Sequence, residues 1–530
     1  MDQTASSMRG GFFSFSVIGT KKKYNERMEE NERKKSMDTE KLFAILPNKE
    51  IVGELPATVT DMAVDSRAVN AGGVFVCIEG FTVDGHDFVG KAVDNGARVI
   101  VASKPVDVDP EKVAVVLVDD TSRAVGLLAS RFYSYPSRKM TMIGVTGTNG
   151  KTSVSNIIHA ILQESGERSA VSGTIGFNLD GILYETENTT NDVLTTQGMI
   201  ARAVQEGCST MAMEVSSHGL VEGRLAGTEF DIAIFTNLTH DHLDFHGTME
   251  DYGYAKGLLF AQLGQDLEKR KFAVLNADDE WSERMGKMTP FPALTYGIRN
   301  DAIFRASDIV LAADRTTFRL ASPEGEFEVD MKLIGEFSVY NALAAIAALF
   351  AKGMGTEDII GHLEKISSVK GRMEKVETSL PLTIYIDYAH SPDAIEKAIH
   401  AVLPYKKNKL IFVIGTGGNR DRKKRPVMAE KASVADYVIL TTDDPRDEPY
   451  ESILSELEAG MTHDQYACIG DRAEAVRHAV SVAEEDDIII FAGKGHEDFQ
   501  IIGNVKHPHS DAAIALEAAE QKFGAGQMKK

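Results

Sequence analysis

A chain of 530 residues is too long for one hydrophobic core, so two or three domains are expected. The formal net charge of −22 excludes a general nucleic-acid binder, whose affinity rests on Lys and Arg neutralising phosphates. Cys77, Cys208 and Cys468 match no metal or redox spacing, and no apolar run reaches the length of a membrane span, so the expected location is the cytoplasm.

In chain order, residues 1–36 are mixed in charge and weakly patterned. They read as a disordered extension, or as a start placed upstream of Met37. Residues 37–138 read as a small α/β unit. A β-branched run, "TMIGV" (141–145), then enters the glycine-rich turn "TGTNG", and a helix opens at Lys151. Backbone N–H groups and a helix N-terminus can cradle a phosphate there, with Lys151 reaching the outer phosphates and the Thr152 hydroxyl offered to Mg²⁺. The register is unusual. The common phosphate loop is G-x-x-x-x-G-K-[ST], and counting back from Gly150 finds Val145 in the first glycine slot.

Further strands are expected at "MAMEV" (211–215), "FDIAIFTNL" (230–238) and "KFAVLN" (271–276), as in a mostly parallel sheet. Glu214 ends one of them and His242 lies in the loop after another, both near the phosphate loop. "HDHLDFH" (240–246) invites a zinc reading, but on an extended strand its alternating side chains share a face and fan out rather than converge. From residue 383 a second series begins: "TIYIDYAH", "KLIFVIGTGG", "DYVILTTDDPR" and "DDIIIFAGKGHE". Each run ends in polar, glycine or charged residues, which predicts a second crevice at the carboxyl ends of its strands.

"GVTGTNGKT" resembles the phosphate loop of the Mur ligases, the ATP-dependent amino-acid ligases of peptidoglycan synthesis. "EVSSHGLVEGRL", "FTNLTHDHLDFHGTMEDYGYAK", "GEFSVYNALAA", "KGRME", "DYAHSPDA" and "AGKGHEDFQ" match that family in type and order, from about residue 40 to about 515. The resemblance implies three α/β domains: 37–138 for a UDP-sugar, 139–370 with a P-loop ATPase-type sheet for ATP, and a Rossmann-like 371–530 for the incoming amino acid. The charge and the apolar runs predict contact with neither nucleic acid nor membrane, a monomer is expected, and the resemblance implies an activity. ATP would activate the D-Glu carboxylate of UDP-MurNAc-L-Ala-D-Glu as an acyl phosphate, which a diamino acid attacks.

By the same resemblance Gly147, Thr148, Asn149, Gly150, Lys151, Thr152 and Ser153 hold the ATP phosphates, with Asn276, Asn341 and Asp387 at adenine and ribose. Thr152 and Glu214 would bind one Mg²⁺, and His242 a second together with Lys256 carbamylated by CO₂. Otherwise Lys256 reads as a solvated helix lysine. Arg372 would reach the γ-phosphate on domain closure. Ser66, Asn188, Thr189, Thr190, Ser216, Glu222 and Arg224 would bind the UDP-dipeptide. Glu222 stands where glutamine is common and Asn191 where proline is, so Glu222 needs Arg224 as a partner beside an anionic substrate.

Arg420, Asp443, Asp444, Pro445, Arg446, Gly493 and Glu497 match the contacts to the amino acid. The family motif D-N-P-R marks enzymes that add meso-diaminopimelate, whose second carboxylate an arginine can grip bidentately. Arg446 therefore points to meso-diaminopimelate. Asp444, in the asparagine position, keeps L-lysine or ornithine open. A folylpolyglutamate-synthase-like ligase and a non-catalytic nucleotide-binding protein are the remaining alternatives.

Overall fold

The computed structural model describes residues 22–23, 36–80 and 83–524. Of the N-terminal 36 residues only Lys22–Lys23 and Ser36 are among these, and Lys22–Lys23 runs parallel to Tyr184–Glu185 at a sheet edge. The rest of the expectation for that segment lies outside the described residues.

The N-terminal domain is a five-stranded sheet in the order Glu50–Val52, Ala114–Leu117, Val99–Ala102, Val74–Val76, Met62–Ala63. Only the first pair is antiparallel. Helix Thr121–Phe132, N-capped by the Asp120 side chain, closes one face over Val99, Val101 and Val116.

The central domain is built on six parallel strands. In chain order its elements are β1 (Thr141–Thr146), α1 (Lys151–Glu164), β2 (Ser169–Gly173), β3 (Thr210–Glu214), β4 (Ile232–Phe235), α2 (Met249–Ala261), β5 (Phe272–Asn276), β6 (Ala293–Gly297) and α3 (Glu336–Lys352). The strand order is β2-β3-β1-β4-β5-β6, which puts the phosphate-loop strand in the middle. Both faces of these strands are covered, so they read as continuous apolar runs rather than alternations. α1 and the alanine-rich α3 share one core, and α2 packs on the other side. Register places Glu214 beside Val145, at the level where β1 enters the phosphate loop.

Two features depart from the sequence reading. The sheet continues past β6 through Phe304–Leu311 into the antiparallel strands Thr316–Ser322 and Gly325–Met331. The 240–246 segment is not extended either: His242 turns at φ 54° into the short helix Leu243–His246.

The C-terminal domain adds β7 (Thr383–Asp387), α4 (Pro392–Val402), β8 (Leu410–Thr416), β9 (Tyr437–Thr442) and β10 (Ile488–Ala492). These strands are parallel in the order β7-β10-β8-β9, and their carboxyl ends lie along one edge. That edge is pinned from below by a buried ion pair. Arg472 and Asp511, with side chains 0% and 1% exposed, meet at 2.6 Å, and Arg472 also donates to the carbonyls of Thr442 and Ala492 at the ends of β9 and β10. Breaking a buried pair strands the other charge. Asp511→Ala should therefore lower the stability of the C-terminal unfolding transition by about 3–5 kcal/mol, measured by urea denaturation. Asp330→Ala, which removes a half-exposed partner of Arg315 in the central sheet, should change the central-domain transition by less than about 1 kcal/mol.

Candidate active site

The phosphate loop is gripped from behind by the loop after β4. Thr148 N donates to Asn237 O (2.8 Å), Asn149 N to Asn237 Oδ1 (2.9 Å), and Thr236 Oγ1 to Asn149 O (2.6 Å). This closeness explains the glycines. A Cβ on Gly147 (φ 149°) would lie 1.8 Å from Thr236 Oγ1, and one on Gly150 (φ 89°) 2.6 Å from Asn341 Oδ1. Ser153 is buried in the first turn of α1. Lys151 Nζ folds back onto the carbonyls of Gly147 (2.9 Å) and Thr148 (2.8 Å). Burial lowers its pKa against the pull of Glu214 and Asp241.

Glu214 is fully buried and fully engaged. Its Oε2 accepts from Thr152 Oγ1 (2.9 Å) and Thr174 Oγ1 (3.0 Å), and its Oε1 accepts from Thr174 N (2.8 Å). Arg372 arrives from the C-terminal side and donates through Nη2 to Thr152 Oγ1 at 2.8 Å, its guanidinium 4.6 Å from the Tyr388 ring centroid. Arg372 Nε is buried without a hydrogen-bond partner among the described residues. A hydroxyl and a carboxylate oxygen converging beside a phosphate loop form a hard-oxygen donor set that fits Mg²⁺.

Glu214 also leads to the peptide-side residues. Thr174 Oγ1 lies 3.1 Å from Thr189 Oγ1, and Thr190 Oγ1 donates to Glu214 O (2.9 Å) while accepting from Ser216 N (3.0 Å). Ser216 caps the short helix Ser217–Val221. Arg224 donates to Thr190 O (2.8 Å) and pairs with Glu222 at 2.5 Å, the partner Glu222 needs. Asn188 N donates to Asn191 Oδ1 (3.4 Å). Ser66 is buried in the N-terminal domain, its carbonyl held by Asn95 Nδ2 (2.7 Å).

The histidines of 240–246 do not form a metal-binding group of three or more among the described residues. The helical turn separates them instead: His246 Nε2 meets Ser217 Oγ (2.9 Å), and the His218 and His242 rings stack edge-on at 4.8 Å. Burial, with help from His218, Lys151 and Lys256, pushes His242 down to about 4 against Asp241, leaving the neutral imidazole that can ligate.

Lys256 is not a solvated lysine. It is 1% exposed on α2, donates to Gly147 O at 2.8 Å and lies 4.3 Å from the Tyr252 ring centroid. Burial first, and Lys151 second, hold its pKa well below the usual range.

The expected adenine and ribose residues fare differently. Asn341 sits against Gly150, and Asn276 braces Thr236 O (2.7 Å) and Asp278 N (3.0 Å). The buried Asp387 carboxylate accepts from the backbone N–H groups of Met373 (2.7 Å) and Ala389 (2.8 Å), which also holds the hinge next to Arg372.

At the carboxyl edge of the C-terminal sheet the remaining predicted residues do converge, around a residue the sequence reading missed. Lys494, 1% exposed, places Nζ at 2.7 Å from Asp444, 2.7 Å from Glu497 and 3.1 Å from Asp443. Its position in "GKGHE", at the end of a strand leading toward expected acids, was the available signal. Burial opposes its charge, but the three carboxylates outweigh burial and hold the ammonium above its usual range. Burial also pushes Glu497 up. Gly493 (φ 111°) brings the backbone close to Asp443. Pro445 O would lie 1.9 Å from a Cβ on Gly418, so the 417–420 and 443–446 loops touch, while Arg420 is exposed. Arg446 is held at φ 51°, donating to Gly418 O (3.2 Å) and Asp444 O (3.4 Å), with Nη2 3.7 Å from Asp444 Oδ2.

The comparisons with known proteins bear on this geometry directly. Residues 145–349 match the Mur ligase middle domain, 371–495 the Mur ligase, glutamate ligase domain, and 58–133 the Mur ligase family, catalytic domain. The UDP-N-acetylmuramyl-tripeptide synthetase 2 of Oceanobacillus iheyensis is 50% identical over 92% of this chain and 99% of its own. The UDP-N-acetylmuramoyl-L-alanyl-D-glutamate--L-lysine ligase of Staphylococcus haemolyticus is 46% identical over 92% and 99%. A solved structure of UDP-N-acetylmuramoyl-L-alanyl-D-glutamate--2,6-diaminopimelate ligase is similar with a TM-score of 0.66 and 32% identity, covering 91% of this chain and 99% of that one. Identity of this order, sustained through all three domains, leaves one assignment: the chain belongs to the Mur ligase family and is an ATP-dependent ligase that forms an amide bond.

Proposed function

We propose that the chain joins L-lysine to the D-Glu carboxylate of UDP-MurNAc-L-Ala-D-Glu, with residues 37–138 holding the UDP-sugar, 139–370 ATP and 371–530 the amino acid. The γ-phosphate passes to a carboxylate oxygen of D-Glu and ADP departs. The substrate amine then attacks the acyl carbon, and the C–O bond to phosphate breaks. Lys151 and Arg372 neutralise the phosphate oxygens from two sides, and Arg224 with Ser216 orients the peptide carboxylate. Mg²⁺, held by Thr152 and Glu214, would lower the repulsion between carboxylate and triphosphate. Burial favours the neutral amine of Lys256, which is the form that adds CO₂. Its carbamate would keep one N–H for Gly147 O and turn a would-be cation into an anion able to share a metal with His242.

The choice of amino acid rests on one observation, the charge balance around Lys494. Asp443, Asp444 and Glu497 bring three negative charges against Lys494 and Arg446, and Arg446 is already engaged by two carbonyls and Asp444. The cluster can accept one more cation, which the distal ammonium of lysine supplies. The second carboxylate of diaminopimelate would need Arg446 free. The name of the Staphylococcus haemolyticus relative supports the same reading. Diaminopimelate is the second reading, favoured by the presence of Arg446 itself.

ADP release with the purified UDP-dipeptide should give a higher kcat/KM for L-lysine than for meso-diaminopimelate or ornithine. Asp444→Asn should release Arg446 and raise the relative kcat/KM for diaminopimelate on the order of 10-fold, the size of one charge-assisted contact. A wild-type preference for diaminopimelate would reject lysine.

Lys256→Ala should be nearly inactive and should recover in part when a short carboxylic acid is added to the assay. Full activity in the unrescued variant would reject the carbamate.

A further inference from the structure

The phosphate loop carries one side chain that reaches out of its own domain. Asn149 is fixed at its backbone by the central domain: its N–H donates to Asn237 Oδ1, and its carbonyl accepts from Thr236 Oγ1 (2.6 Å) and Asn237 Nδ2 (3.1 Å). Its side-chain amide instead crosses to the C-terminal domain and donates through Nδ2 to Asp393 Oδ2 at 2.6 Å. The same oxygen accepts Lys397 Nζ at 2.8 Å, one helical turn further along α4. Asp393 occupies the first turn of α4, behind the N-cap Ser391. A few residues after Asn149, Thr152 takes a further crossing, its Oγ1 accepting from Arg372 Nη2 at 2.8 Å.

We infer that Asp393 is a positioning residue that couples closure of the C-terminal domain to the phosphate loop through Asn149. A carboxylate facing a loop built for triphosphate is repelled by the ligand unless something takes its charge. Here Lys397 supplies the cation and Asn149 a rigidly aimed donor, so the acid is accommodated without touching the reacting atoms. Ile334 and Phe337 packed on the C-terminal core, and the Tyr385 hydroxyl on Ala313 O (3.2 Å), also join the two domains, but the Asn149–Asp393 bond ties α4 to the phosphate loop itself and gives that region a second point of attachment beside Arg372–Thr152. The arrangement that satisfies both keeps Arg372 at the phosphates and closes the domain over them, which protects an acyl phosphate from water. This inference rests on the ligase reading of the site and does not depend on which amino acid is added.

The test compares wild type with Asp393→Ala, Asp393→Asn and Lys397→Met. ADP release and amide formation are followed together, and small-angle scattering is recorded with and without a non-hydrolysable ATP analogue. Asp393→Ala should lower kcat about 10- to 100-fold, the range of a charge-assisted hydrogen bond, with less than about 3-fold change in KM for ATP. Amide formed per ADP released should drop below one, and the analogue-bound variant should scatter as a more open particle than analogue-bound wild type. Asp393→Asn keeps an oxygen for Asn149 and should restore most of the closure. Lys397→Met should move every readout in the same direction by less. Wild-type kcat in Asp393→Ala, or a reduced kcat with full coupling and unchanged scattering, would overturn the inference. If Asp393→Ala does not fold, Asp393→Asn and Lys397→Met carry the same comparison. A wild type that releases no ADP with the UDP-dipeptide would remove the proposed substrate, while the scattering data would still decide the coupling.

Discussion

A carboxylate with no exposure to water persists only if its oxygens are occupied, and at Glu214 the occupants organise the whole centre. Thr152 ties it to the phosphate loop, and Thr174 ties it to the peptide-side threonines. One buried acid therefore fixes the spacing between the phosphate loop and the threonines at 189–190. A ligase that spends ATP to join a carboxylate to an amine must bring two anions together, and doing so in water is opposed by their charge. Here the opposing cations are fixed before any substrate arrives: Lys151 lies under the loop, Arg372 comes from the next domain, and Arg224 stands beside Thr190. Preorganisation of that kind acts on the developing charge without reorientation during the reaction.

The parts of this centre that sequence could reveal are those dictated by local geometry. A β-branched run followed by a tight glycine turn and Lys-Thr can be read because strand, turn and helix start are consecutive, and Gly147 and Gly150 are required by contacts of that same turn. The strand ends of the second series were legible for the same reason. What escaped was set by packing between distant segments. Lys256 looks like any helix lysine until α2 is laid against Gly147, which lies 109 residues away in sequence. The 240–246 run alternates like a strand, yet the left-handed turn at His242 makes it a helix. The antiparallel strands beyond β6 were missed because their half-buried alternation is weaker than the apolar runs of the parallel core.

The carboxyl edge of the C-terminal sheet shows the same limit in a sharper form. A motif identifies Arg446 but not its partners, and a guanidinium reads as available until its acceptors are known. Folding places Asp444 between two cations: Oδ1 takes Lys494 and the Ile501 amide, while Oδ2 leans toward Arg446. The aspartate in place of asparagine thus changes the charge seen by an incoming ligand more than it changes any shape. Three acids held by a buried lysine make this edge a cluster whose character is electrostatic. Its charge balance is a quantity no single residue in the motif discloses.

Arg372 finally shows why the hinge has to be stiff. It stands between Gly371 at φ 66° and Met373 at φ 42°, a pair of backbone conformations that most residues avoid. Both neighbours are held by the C-terminal domain. The Met373 amide is bound by Asp387 at the end of β7, and a Cβ on Gly371 would lie only 2.2 Å from His496 N. Arg372 is therefore fixed to the C-terminal domain through both neighbours, while its own N–H on Val369 O (3.0 Å) and its reach to Thr152 tie it to the central domain, where Val369 is buried. An arginine mounted this way brings its charge to Thr152 and the phosphate loop only together with the C-terminal domain, so the placement of that domain and the charge beside the loop are set by one contact.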